Sequence, residues 1–181
     1  DQVSNMLKKL NHLELLSINL QQNMPKPTSL SLKKMQRLLW LMGWVQIPLI
    51  GFVKPKLLQL DEDVVRVKIP LRRRSRNHLK SMYFGALAVG ADVAAGIHAF
   101  YFAEQSGVKV SFAFKSVKGE FLQRAMTDVV FESKDGGIVK AAFDEALQTG
   151  ERINKPVKIT AYNTMNEPVA EFELVISIKI K

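Results

Sequence analysis

The sequence predicts an α+β domain in which an antiparallel sheet wraps around one long central helix. Three features predict it. The run from Gly85 to Ala99 is dominated by small residues, Ala86, Ala88, Gly90, Ala91, Ala94, Ala95, Gly96 and Ala99 among them, and reads as a helix. Alternating apolar and polar stretches, the mark of half-buried strands, stand on both sides of it. The last two are long and joined by a short polar turn, as in a hairpin. Glycine costs a helix about 1 kcal/mol against alanine, so Gly85, Gly90 and Gly96 call for a reason. Close approach by a wrapping sheet supplies one. Asp92 lies inside this run, where an unpaired carboxylate is expensive.

The 181 residues suffice for one domain with an extension. A hydrophobic fraction of 47% and a charged fraction of 24% are those of an ordinary globular chain. There is no cysteine, which excludes disulfides, thiolate metal sites and a cysteine nucleophile. His12, His78 and His98 are too scattered to suggest a zinc site. No charged segment with a short apolar core opens the chain, so a cytoplasmic location is expected.

Taken in order, Val3, Met6, Leu7, Leu10, Leu13, Leu16 and Leu20 recur at three- and four-residue steps and predict an amphipathic helix over Gln2 to Gln22. Pro25 and Pro27 break it. A second helix is predicted from Ser31, as N-cap, through Met35, Leu38, Leu39 and Met42, fading near Gly43. The apolar stretch Leu38 to Val53 is about sixteen residues, short of the roughly 20 a membrane span needs. It is expected as a core or interface segment, with Trp40 and Trp44 at a lipid headgroup layer as the alternative. Strands are predicted over Phe52 to Leu60 and Val64 to Leu71, with Asp61-Glu62-Asp63 as their turn. The small-residue helix follows and stops at Ser106-Gly107. Val108 to Phe114 alternates as a strand, and Val129-Val130-Phe131 continues another. Asp135-Gly136-Gly137 opens an inserted helix, Ile138 to Gln148, with the stripe Val139, Ala142, Phe143, Ala146 and Leu147, closed by Gly150. Pro156 to Asn163 and Val169 to Ile180 form the final hairpin. Residues 1–50 are thus expected as an N-terminal helical extension packing on a domain of residues 51–181.

Charge is uneven. Of the net +9, seven cations fall between Val64 and Lys80 with no acid: Arg66, Lys68, Arg72, Arg73, Arg74, Arg76 and Lys80. Such a block implies either an anionic partner or a solvated edge. Nucleic acid is disfavoured, because aromatics are not interleaved with the arginines.

Two strands, a small-residue helix and a run of antiparallel strands is the order of the hotdog fold. The sequence resembles hotdog thioesterases of the phenylacetate-pathway type. These carry Asn, then His-Gly-Gly six residues on, then an acid nine residues after the His. Here Asn77 is followed by Tyr83-Phe84-Gly85 and then Asp92, with Ala86-Leu87-Ala88 and Ala94-Ala95-Gly96 in the same style. The resemblance spans about Phe52 to Lys181 apart from the inserted helix, and points to an uncharacterised branch of the superfamily.

What the resemblance implies is an acyl-CoA thioesterase. Backbone N–H groups of Phe84 and Gly85 would hold the oxyanion, Asp92 would attack the carbonyl or activate water across a dimer interface, and Asn77 would orient water or the leaving sulfur. Arg72, Arg73, Arg74 and Arg76 precede the helix entrance, where related enzymes receive the phosphates of coenzyme A. No cofactor is implied beyond coenzyme A as part of the substrate. A homodimer, with tetramers an open possibility, is implied as well. The departure is Tyr83-Phe84 where the family has His-Gly, which narrows the site. Two other readings stand beside it. One is a non-catalytic acyl or acyl-CoA binding protein, with Asp92 structural or a ligand contact. The other is a hotdog dehydratase using His78, fourteen residues before Asp92, although its usual acid is Glu and its Pro-Gly-rich turn is absent.

Overall fold

The computed structural model describes residues 32–181. The helix expected over Gln2 to Gln22 and the Ser31 cap lie outside the described residues. The elements are α1 (Leu32–Val45), α2 (Pro48–Val53), β1 (Lys56–Leu60), β2 (Val65–Ile69), α3 (Phe84–Ser106), β3 (Val110–Phe121), β4 (Val129–Ser133), α4 (Gly136–Thr149), β5 (Ile153–Tyr162) and β6 (Pro168–Ile180). The six strands form one antiparallel sheet in the order β1-β2-β4-β5-β6-β3. The sheet wraps α3, the arrangement that the resemblance implies.

Helix α3 is apolar on nearly every side because nearly every side is covered. Fifteen of its residues, from Ala86 to Ala103, are buried. It is also long and apolar enough to cross a bilayer by composition, but the sheet occupies that surface. The glycines are where sheet and helix meet most closely. A Cβ on Gly90 would clash with three carbons of the Phe131 ring on β4, and one on Gly96 would lie 3.0 Å from the Phe112 ring on β3. Gly107, at φ +66°, ends the helix and donates its N–H to the Ala103 carbonyl.

Four expectations change. Phe52 and Val53 end a short helix instead of starting a strand. Pro48 sits in the first turn of α2, where its missing N–H is harmless. Gly51 then packs on Gly43 so closely that a Cβ on Gly43 would be 2.6 Å from the Gly51 nitrogen. Lys54, left-handed at φ 54°, turns the chain into β1. Second, α1 runs past Gly43 to Val45. Third, β3 extends to Phe121: beyond Phe114 its side chains are exposed and lose alternation, but eleven pairings with β6 hold it, with a register shift between Phe114 and Ser116. Fourth, Leu147 is exposed, while Val139, Ala142, Phe143 and Ala146 form the buried stripe of α4. Asp135 does not cap α4 with its side chain; its carboxylate accepts the Lys158 N–H at 2.7 Å.

The edges of the sheet differ. At β1 the Gln36 side chain from α1 accepts the Leu57 N–H at 2.6 Å and donates to the Pro55 carbonyl at 3.3 Å, covering the entry of the strand. The other edge strand, β3, is twelve residues long and, among the described residues, hydrogen-bonded to β6 alone.

Candidate active site

The loop from Pro70 to Tyr83 delivers the chain to the start of α3, and Ser75 is its knot. Fully buried, Ser75 donates its hydroxyl to the Pro70 carbonyl at 2.7 Å and accepts the Arg72 N–H at 2.9 Å. Its carbonyl accepts the Tyr83 N–H at 2.8 Å, which fixes the N-cap of α3. The Asn77 side chain closes a smaller turn, accepting the Leu79 N–H at 2.9 Å and pairing with the Ser81 hydroxyl at 3.0 Å. Asn77 therefore shapes the loop in this arrangement.

At the helix start the Tyr83 carbonyl accepts the Ala86 and Leu87 N–H groups. Among the described residues no acceptor meets the N–H groups of Phe84 and Gly85, the unpaired donors that a helix N-terminus leaves, with partial positive charge. The Tyr83 ring lies over Gly85, where a Cβ would be 2.6 Å from Cε1, so any larger residue there must displace the half-exposed ring. The Phe84 ring is 59% exposed, with its centroid 4.7 Å from that of Tyr83. Asn77, His78, Tyr83 and Phe84 share a cavity of about 450 Å³ with Phe121 and Arg124.

Asp92 lies elsewhere. Half-buried on α3, it lines a groove of about 590 Å³ whose walls include Leu39, Met42 and Ile50 from the α1–α2 hairpin and Phe112 from β3. Burial holds its carboxyl above the usual range, and among the described residues no hydrogen bond or charge opposes that effect. His98 is fully buried six residues along; its Nε2 lies 3.1 Å from the Asp61 carbonyl, and its Nδ1 has no partner among the described residues. Burial pushes its imidazole pKa down.

The arginines divide as well. Arg72, Arg73 and Arg74 line a cavity of about 1010 Å³ together with Lys54, Lys56 and Lys68, whereas Arg76 is exposed outside it. Arg74 is held at the rim, donating to the Phe52 carbonyl at 3.2 Å with its guanidinium 5.5 Å from the Phe52 ring centre. Among the described residues the single acid in the wall, Asp128, is already engaged, with Lys68 at 3.3 Å and with the Leu71 N–H at 2.9 Å. Lys54 and Lys56 were not singled out from sequence. They are remote from the arginine block in the chain, and only the β1–β2 register, which sets Lys56 opposite Lys68, brings them in. A Lys-Pro-Lys run in an acid-free stretch was the available signal. Among the described residues no group of three or more His, Asp or Glu side chains gathers into a metal site.

A family model, Domain of unknown function (DUF4442), matches residues 36–178. The chain belongs to that family. Solved structures are similar throughout the domain. A protein of unknown function from Chlorobaculum tepidum TLS aligns with TM-score 0.73 at 14% identity, covering 84% of this chain and 99% of that one. A thioesterase from Haemophilus influenzae aligns with TM-score 0.62 at 11% identity, covering 87% and 96%. A thioesterase family protein from Silicibacter pomeroyi aligns with TM-score 0.60 at 15% identity, covering 83% and 100%. No curated protein matches the sequence significantly. The fold is the hotdog fold, and its relatives by structure include thioesterases.

Proposed function

We propose that this DUF4442 protein hydrolyses acyl thioesters of coenzyme A at a site shared between two copies of the chain. The observation that carries the reading is the Asp92 carboxylate, which has no partner among the described residues, stands on the wall of a groove with an apolar side, and is held above its usual pKa by burial. A raised pKa suits a base working near neutral pH. The groove, lined by Leu39, Met42, Ile50 and Phe112, fits an acyl chain.

The second half of the chemistry is the N–H pair of Phe84 and Gly85, whose stabilisation of an oxyanion is worth about 3 kcal/mol per donor. A helix rises about 1.5 Å per residue, so Asp92 lies about 12 Å along α3 from Phe84. One thioester carbonyl cannot touch both in a single chain. A two-fold mate, paired along the bare β3 edge, supplies the missing half. In the proposed step Asp92 takes a proton from water while the oxygen bonds to the carbonyl carbon. The oxyanion sits on the N–H pair, the C–S bond then breaks, and the departing thiolate recovers the proton from Asp92. The basic cavity receives the phosphates, for which paired guanidinium contacts are suited.

The Tyr83–Phe84 ring pair beside the N–H groups favours a second reading, an acyl-binding protein without turnover. The dehydratase reading has less support: His78 is exposed in the loop cavity and Asp92 faces the separate groove. Thiol release from a panel of acyl-coenzyme A thioesters decides between hydrolysis and binding. The chain has no cysteine to add background. Hydrolysis predicts release that falls by about 10²- to 10⁴-fold in Asp92→Asn. A folded protein that binds a thioester and releases no thiol refutes the enzyme.

A further inference from the structure

The α1–α2 hairpin carries apolar residues on two faces. Met35, Leu39, Met42 and Ile50 are buried against the domain. On the outer side Trp44 is 72% exposed, Val45 70%, Trp40 61% and Leu49 58%. The tryptophan rings sit 6.0 Å apart. Helical spacing puts Lys33 and Arg37 in line with Trp40, Leu41 and Trp44 on this outer face. Gly43 and Gly51 bring the backbones of its two helices into contact.

Charge says what such a face meets. From Leu32 to Leu60 there are five cations, Lys33, Lys34, Arg37, Lys54 and Lys56, and no acid; Lys34 is paired with Glu104 of α3 at 2.8 Å, which leaves Lys33, Arg37, Lys54 and Lys56 to set the charge of the face. Trp40 and Trp44 share a cavity of about 640 Å³ with Lys54 and Lys56, which also belong to the basic cavity. An apolar knob with tryptophans, rimmed by cations, complements an anionic lipid surface: rings settle at headgroup depth and cations meet lipid phosphates. A two-fold contact with a second copy would instead set these cations against each other. The face lies by β1, at the opposite end of the strand order from β3.

We propose that the outer face of the α1–α2 hairpin is a peripheral docking surface for anionic membranes, with Trp40, Trp44, Val45 and Leu49 inserted at the headgroup boundary and Lys33 and Arg37 on lipid phosphates. It stands independently of thioester hydrolysis.

The protein carries its own probe, since its two tryptophans are Trp40 and Trp44. The full chain is mixed with phosphatidylcholine vesicles, with or without phosphatidylglycerol, and followed by tryptophan emission and co-sedimentation. Anionic vesicles should shift the emission to the blue and sediment the protein, and brominated acyl chains should quench it. Lys33→Ala with Arg37→Ala should weaken the association roughly thirtyfold, about 1 kcal/mol for each cation. Trp40→Ser with Trp44→Ser, both at exposed positions, should abolish sedimentation while the circular dichroism of the fold is kept. Emission already blue without vesicles, and unchanged by them, overturns the proposal. Dilution then names the occupant: a red shift on dilution means a second copy covers the face, and none means residues 1–31 cover it. Sedimentation without quenching by brominated chains also overturns it, because charge alone would then hold the protein.

Discussion

Replacing Gly90 by alanine tests how closely the sheet holds the central helix. In an open helix the change should stabilise by about 1 kcal/mol. Here the new Cβ would stand within 2.6 Å of three carbons of the Phe131 ring, where ordinary contact begins near 3.4 Å. The ring must therefore retreat by at least about 0.8 Å, the difference between those two distances. It has little room, since Phe131 is fully buried and its strand is paired to Val67 on one side and Ala161 on the other. Overpacking of this kind costs about 1–3 kcal/mol. Three simultaneous clashes put it in the upper part of that range, leaving a net loss of about 1–2 kcal/mol. For a chain of this size that is a fall in Tm of about 2–8 °C, read by thermal unfolding. Gly137→Ala is the control: nothing lies within 4 Å of its Cβ, and a gain of about 0.4–1 kcal/mol is expected. If Gly90→Ala raises Tm as Gly137→Ala does, the account of the small-residue helix is wrong. Phe131→Leu in the Gly90→Ala background should recover part of the loss, and a double-mutant cycle measures the coupling.

Two further outcomes follow from the site. The folded-state pKa of Asp92 is raised above its unfolded value, so folding binds its proton more tightly. Its contribution is most favourable at or below the unfolded pKa of about 3.9 and declines as pH rises through the folded pKa. Asp92→Asn should therefore be more stable than the parent near neutral pH, with the difference shrinking toward pH ~4; urea unfolding at the two pH values checks it, and a less stable variant at neutral pH contradicts the unpaired carboxylate. In the basic cavity, Arg72→Ala and Arg73→Ala should each raise KM for an acyl-coenzyme A by about tenfold. A short thioester without phosphates should be unaffected, and an equal loss on both substrates would deny the cavity its proposed role.

The sequence by itself determined the wrapped helix. Three glycines in an apolar helix, each unfavourable locally, mean something only if a neighbour needs the space, and Phe131 and Phe112 take it at Gly90 and Gly96. It also determined the final hairpin and the inserted helix with its αL glycine at Gly150, and it singled out Asp92 as a candidate, because alternation, helical stripes and isolated charges are local patterns. What only the tertiary structure decided is non-local. The outer half of β3 lacks an apolar face and exists through its pairing with β6. Phe52 and Val53 read as strand but close a helix, since contact between Gly43 and Gly51 outweighs their β propensity. Lys54 and Lys56 join Lys68, Arg72, Arg73 and Arg74 because the β1–β2 register sets Lys56 opposite Lys68, which brings together charges far apart in the chain. The tryptophans face outward for a similar reason: helical spacing defines two apolar faces on α1, and only docking on the sheet decides which of them is buried.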